Sequence, residues 1–142
     1  MTAYVDASVL LRVVLGQPDA LAEWSQIKRG VSSALIAVES LRTLDRLRLR
    51  VKLDDAEIAR RRAKILEFIA ALELVDIDAA VLDRASQPMP TEIGTLDAIH
   101  LATALLWKDM TGQPLTIATH DGALALASRA YGLPVIGVAG AA

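Results

Sequence analysis

The sequence predicts an α/β fold in which a central, mainly parallel sheet is covered by helices on both faces. The first observation is a rhythm. Short apolar runs such as TAYVD (2–6), LVDI (74–77), LTIAT (115–119) and LPVIGV (133–138) alternate with longer helical stretches. Strands joined by helical crossovers run parallel and lie buried between layers. The second is composition: 54% of the 142 residues are apolar and only 4% aromatic, with Ala, Leu, Val and Ile dominating. That is the make-up of an α/β interior. The length suits a single domain over residues 1–142, with enough chain for a proper core.

Taken in order, TAYVD (2–6) reads as a strand and ASVLLRVVL as the start of the first helix. Pro18 fits the first turn of a second helix through Trp24 to about Lys28. VSS (31–33) is a brief strand or turn whose serines can cap a helix from Ala34 to about Arg48. Residues 53–73 form a long amphipathic helix, acidic near its start and basic later, in accord with the macrodipole. LVDI (74–77) is strand-like, and residues 79–86 are helical. PMPTEIG (88–94) is a loop by its prolines and glycine, after which Thr95 caps a helix over 96–110. TGQP (111–114) is a turn, LTIAT a strand, and residues 120–132 hold a helix ended by Gly132 before the closing strand.

The totals exclude several function classes. Mean hydropathy is +0.40, above the disordered class. No window of eighteen uninterrupted apolar residues exists, so no membrane span is expected. Asp6 and Arg12 interrupt the first apolar run, which argues against a signal peptide. The absence of cysteine rules out disulfides, thiolate chemistry and cysteine zinc sites, and it fits a cytoplasmic protein. A net charge of −2 argues against a general nucleic-acid coat. Between Arg42 and Lys64, however, nine basic residues face four acidic ones. Such a run is usually a solvated, ion-paired face, and a phosphate-contacting flank is the alternative.

In open parallel sheets, ligands gather beyond the carboxyl ends of the strands. Asp6 ends the first strand, and Asp121 falls just past LTIAT. Asp97 lies in the first turn after the PMPTEIG loop, and Glu39 lies in the helix after VSS. Each acid alone has a plain explanation. Asp6 can cap the helix that follows it, and Asp97 and Asp121 can each serve a helix dipole. Glu39 can pair with Arg42 at i,i+3 on a solvated face. Together the four are expected to converge on one sheet edge.

Two carboxylates about 4 Å apart repel by roughly 4 kcal/mol at an effective dielectric near 20. Such a cluster needs a cation. With no cysteine and no histidine pair at ligand spacing, the donors are all oxygen, which selects Mg²⁺ or Mn²⁺. The chemistry served best is phosphoryl transfer or phosphodiester hydrolysis. His100, one turn after Asp97, invites a general-base role, against the commoner fate of a histidine in an apolar helix as a core hydrogen-bonding residue. Trp24 and Trp107 read as core or interface residues. No Gly-rich phosphate loop and no plausible Ser/His/Asp order is present.

AYVDASVLL at the N-terminus, ALIAVESLR at 34–42, TLDAIHLATAL at 95–105 and TIATHDGALALASRAYGLPV at 116–135 resemble the PIN domain. More narrowly, they are similar to VapC-type toxins of bacterial type II toxin–antitoxin pairs. The resemblance runs over nearly the whole chain, and LDAIHLATAL is its most specific block. It implies a three-layer α/β/α sandwich and a Mg²⁺- or Mn²⁺-dependent endoribonuclease with Asp6, Glu39, Asp97 and Asp121 as its acids. Asp6 and Asp97 match the firmest metal ligands of the family. Glu39 matches a ligand acting directly or through water, and Asp121, in a T-x-D motif with Thr119, an outer or second-metal position. Ser8 and Thr119 match supporting hydroxyls. The resemblance further implies a homodimer and a VapB-type antitoxin, whose Arg or Lys can fill an acidic pocket.

Three other readings compete with it. A haloacid-dehalogenase-like phosphatase wants a second Asp two residues after the first, where this chain has Ser8. A non-catalytic PIN-like binding module is disfavoured by the four intact acids. A housekeeping RNA-processing nuclease of the same fold is disfavoured by small size.

Overall fold

A computed structural model describes residues 1–139; the last three residues of the expected 1–142 domain lie outside the described residues. The strands are β1 (Thr2–Val5), β2 (Arg29–Ser33), β3 (Glu73–Val75), β4 (Thr116–Ala118) and β5 (Val135–Ile136). The helices are α1 (Ala7–Val14), α2 (Leu35–Val51), α3 (Asp55–Ala70), α4 (Ala79–Ala85), α5 (Thr95–Thr111) and α6 (Gly122–Ala130). The sheet has the order β3-β2-β1-β4-β5 with every pairing parallel. From β1 the chain builds outward through β2 and β3, then returns to add β4 and β5 on the other side. The switch point, where a crevice opens at the carboxyl edge, therefore lies between β1 and β4.

Alternation along the strands divides the core. Ala3 and Val5 face a cluster with Val9, Leu10, Ile36, Leu44 and Ile65, from α1, α2 and α3. Tyr4 and Val31 face a second cluster with Leu101, Trp107, Ile117 and Leu124, drawn largely from α5 and α6. A period of two in β1 thus gives the sheet two apolar faces, and the result is the three-layer sandwich. Among the described residues no helix is long and apolar enough to cross a membrane.

Two expectations are corrected. Pro18–Lys28 is not a helix: it forms turns and a short 3-10 stretch, Trp24–Gln26. Its backbone bonds span three residues, as from Ala20 N–H to Gln17 O and from Gln26 N–H to Glu23 O, so no α-helical ladder is laid down. Leu21 and Trp24 anchor this segment to the core without a helix. Thr95 is not the cap of α5. The capping position is Gly94, with extended backbone and no side-chain bond, and Thr95 is the first helical residue. Elsewhere the ends move by a few residues. Ser33 Oγ does accept the Leu35 N–H at the start of α2, and Asp54 caps α3 through the Glu57 N–H at 2.7 Å.

Candidate metal centre

Asp6 follows the last residue of β1 and is held to β4 by its own N–H, which donates to Ala118 O at 3.0 Å. It occupies the capping position of α1 but makes no side-chain cap bond. Its Oδ2 instead accepts the Ser8 hydroxyl at 2.7 Å and the Thr119 hydroxyl at 2.9 Å. Those hydroxyl oxygens in turn accept backbone N–H groups, Ser8 from His120 and Thr119 from Asp121, both at 3.0 Å. A hydroxyl that accepts from the backbone and donates to the acid fixes both rotamers. Gly137, at φ +102°, lets the chain after β5 pass against the Thr119 carbonyl, where any Cβ would collide.

Asp97 stands in the first turn of α5 and Asp121 at the start of α6. Asp121 Oδ1 accepts the Ala123 and Leu124 N–H groups at 2.8 and 3.3 Å, so this acid serves its helix by hydrogen-bonded capping and not through the dipole alone. Glu39 does not take the expected local pair. Arg42 bonds Asp45 on its own helix at 3.0 Å, while Glu39 Oε1 lies 2.5 Å from His100 Nε2 across the sheet edge. His100 Nδ1 lies 2.6 Å from the Tyr4 hydroxyl. All four acids line one cavity of about 450 Å³, with Arg42 and Arg46 at its rim.

Within that cavity, like charges oppose one another at Asp97. Burial pushes the Asp97 carboxyl up to about 6, with the charges of Asp121 and Asp6 adding to the effect. Burial lowers the His100 imidazole, but its bond to Glu39 and the charges of Glu39, Asp6 and Asp97 outweigh that and leave it raised. Buried Tyr4 stays a neutral phenol, its titration pushed far up by desolvation and by the Asp6 charge.

The donor set fits a divalent ion. Asp6 and Glu39 bring carboxylate oxygens within 4.8 Å of one another, with a His100 nitrogen equally near, while Asp97 and Asp121 line the same cavity outside that close group. Among the described residues no hydrogen-bond donor reaches Asp6 Oδ1, because Oδ2 takes both hydroxyls. A carboxylate with one oxygen anchored and the other free of donors, in a cavity lined by further acids, is a ready ligand for a hard cation.

The sequence profile of the PIN domain matches residues 3–128. The chain belongs to the PIN-domain family. Among relatives, it is 35% identical over 136 residues to Ribonuclease VapC46 of Mycobacterium tuberculosis, covering 94% of this chain and 95% of that one. The PIN fold is shared with the structure of FitAB bound to the IR36 DNA fragment (TM-score 0.71, 19% identity, 96% and 94% of the two chains). It is shared too with VapBC2 from Rickettsia felis bound to a DNA fragment from its promoter (TM-score 0.65, 14% identity, 95% and 97%). In this PIN domain, Tyr4 is the residue that sequence reasoning missed. The signal was present: Asp6 lies two residues after Tyr4 at the end of β1, and His100 lies three residues after Asp97 on α5.

Five of the nine basic residues between Arg42 and Lys64 are ion-paired on their own helices, Arg42 with Asp45 among them. Arg48, Arg60, Arg61 and Lys64 pair with Asp45, Glu57 and Glu67 on their own helices. Arg42 and Arg46 reach the cavity rim, where Arg46 donates to the Thr43 hydroxyl at 3.2 Å. Trp107 is buried, and Trp24 packs edge-on against Phe68.

Proposed function

We propose that this protein is an endoribonuclease dependent on Mg²⁺ or Mn²⁺, acting as the toxin of a toxin–antitoxin pair. The observation that carries the reading is the meeting of Asp6, Glu39, Asp97 and Asp121 in one cavity at the switch point, in a PIN domain whose relatives are named ribonucleases. Asp6 and Asp97 hold the ion, Glu39 completes its shell, and Asp121 stands behind them. Ser8 and Thr119 fix Asp6. When bound, the ion lowers the pKa of a water and offsets charge on the scissile phosphate. Asp97, poised at about 6 without an ion, sheds its proton to bind one and so couples affinity to pH. Arg42 and Arg46 attract the phosphate backbone to the rim.

The partner reading is a VapB-type antitoxin. An acidic cavity flanked by exposed Val38 and Leu96 accepts a partner's basic side chain, with apolar residues beside it. A homodimer follows the same family pattern. The test is cleavage of total RNA by the purified chain in Mn²⁺, in EDTA, and with Asp6→Asn. Cleavage that needs Mn²⁺ and is lost in the variant is expected; metal-independent cleavage, or an active Asp6→Asn, rejects the site.

A further inference from the structure

We propose that Tyr4 and His100 form a positioning relay that aims the Glu39 carboxylate into the metal cavity, His100 acting as hydrogen-bond donor to Glu39 and not as a metal ligand. The inference rests on the reading of the cavity as a metal centre. Distance alone would make Asp6, Glu39 and His100 a three-ligand set. The hydrogen bonds decide otherwise. At 2.5 Å from Glu39 Oε1, a bare Nε2 lone pair would face a carboxylate oxygen, and the contact is attractive only with a proton between them. A nitrogen that holds that proton has no lone pair to give a metal. Nδ1 is engaged as well, 2.6 Å from the Tyr4 hydroxyl.

The ring is fixed by its surroundings. His100 is 1% exposed and Tyr4 fully buried, with the two rings edge to face at 5.8 Å. Tyr4 belongs to the strand that delivers Asp6, so the relay and the first acid share one backbone. Glu39 and His100 sit on α2 and α5, helices packed on opposite faces of the sheet. Their bond closes the gap over the carboxyl edge. A free glutamate on a half-exposed helix face samples several rotamers, and ordering it costs conformational entropy. The relay meets that cost in the folded chain, before any ion arrives.

The experiment measures Mn²⁺ binding by calorimetry without RNA, beside RNA cleavage, for wild type, His100→Leu, His100→Gln and Tyr4→Phe. Glutamine places an N–H near the position of Nε2 and does not titrate; leucine fills the space without a donor. His100→Leu is expected to weaken Mn²⁺ binding about 10–100-fold, as for a lost outer-shell partner, with His100→Gln returning to within about threefold of wild type. Tyr4→Phe, which keeps the ring and removes only the hydroxyl, is expected to lose several-fold. Should His100→Leu fail to fold, Tyr4→Phe decides alone, and unchanged Mn²⁺ binding there overturns the relay. A folded His100→Gln as impaired as His100→Leu overturns it in favour of a ligating ring nitrogen, and an unimpaired His100→Leu overturns it in favour of packing. Wild-type protein that takes up no Mn²⁺ overturns the metal reading and the relay with it; uptake beside an unaffected His100→Leu removes the relay alone.

Discussion

The two edges of the sheet treat a carboxylate in opposite ways. At the amino edge, Glu73 accepts the Trp107 indole N–H at 3.0 Å and two Arg29 N–H groups at 3.0 and 2.7 Å. Arg29 also lies over the Trp107 ring and bonds Gln113. Trp107 and Arg29 together hold the Glu73 carboxyl below its ordinary range. At the carboxyl edge, Asp97 meets burial and further acids and is pushed up to about 6. One edge is satisfied within the chain; the other sets a carboxylate against further acids, and under the proposed function a cation from outside completes it. A carboxylate whose partners are all built in ties elements together, while one opposed by its neighbours marks a binding site.

The largest expected effect separates these roles at Asp97. Asp97→Asn is expected to lower RNA cleavage by ~10²–10³-fold, the scale of losing one preorganised charge at a reacting centre. In EDTA at neutral pH its thermal midpoint should match or exceed that of wild type, because a repelled charge has been removed. In Mn²⁺ the order should reverse, since only wild type gains stability by binding the ion. A variant less stable in EDTA, yet active, would make Asp97 a helix-dipole residue and dissolve the contrast.

The acids were legible because chain position alone placed them. Asp6 and Asp121 follow strands, and the carboxyl-edge rule depends only on topology. What could not be read was the choice between competing local partners. Asp121 caps its helix whereas Asp6 in the same kind of position does not, and the difference is two hydroxyls, Ser8 and Thr119, that reach Asp6 from both sides. Glu39 had an i,i+3 arginine within reach, but Asp45 took that arginine and His100, 61 residues away, took Glu39. The stretch after Pro18 carried helix-forming residues, but its anchors, Leu21 and Trp24, needed only turns. In each case a tertiary contact settled what a local pattern left open.

Acid should act on the two edges with opposite sign. The Asp97 pKa is higher folded than unfolded, so the native metal-free protein binds the proton first, and stability rises as pH falls from 7 towards 5. Glu73 is lowered, so its contribution is present above the ordinary carboxylate range and is lost as pH falls through its depressed folded value. Denaturant midpoints across pH 3–8 in EDTA should show a larger gain below pH 7 in wild type than in Asp97→Asn, where only the raised His100 still adds stability in that range. Mn²⁺ affinity should move the other way, weakening by about tenfold per pH unit below 6 as a proton competes for Asp97. Affinity flat between pH 7 and 5 would remove Asp97 from the ligand set.

The smallest effect tests the satisfied edge. Glu73→Ala removes the acceptor of the Trp107 N–H and the partner of Arg29 in one step. Both Glu73 and Arg29 are partly exposed, and the loss is therefore modest, about 1 kcal/mol, because water replaces part of what the ion pair gave. Trp107 is the exception: its ring is buried, so its N–H is the group left poorly served. Trp107→Phe in the Glu73→Ala background should consequently cost less than Trp107→Phe alone, the signature of a shared bond in a double-mutant cycle. Cleavage and Mn²⁺ affinity should be unchanged in all three, since every contact involved lies at the amino ends of β2 and β3, across the sheet from Asp6. A change in Mn²⁺ affinity without a matching loss of stability would mean that the two edges communicate through β2 and β1, and that the division of labour between them is incomplete.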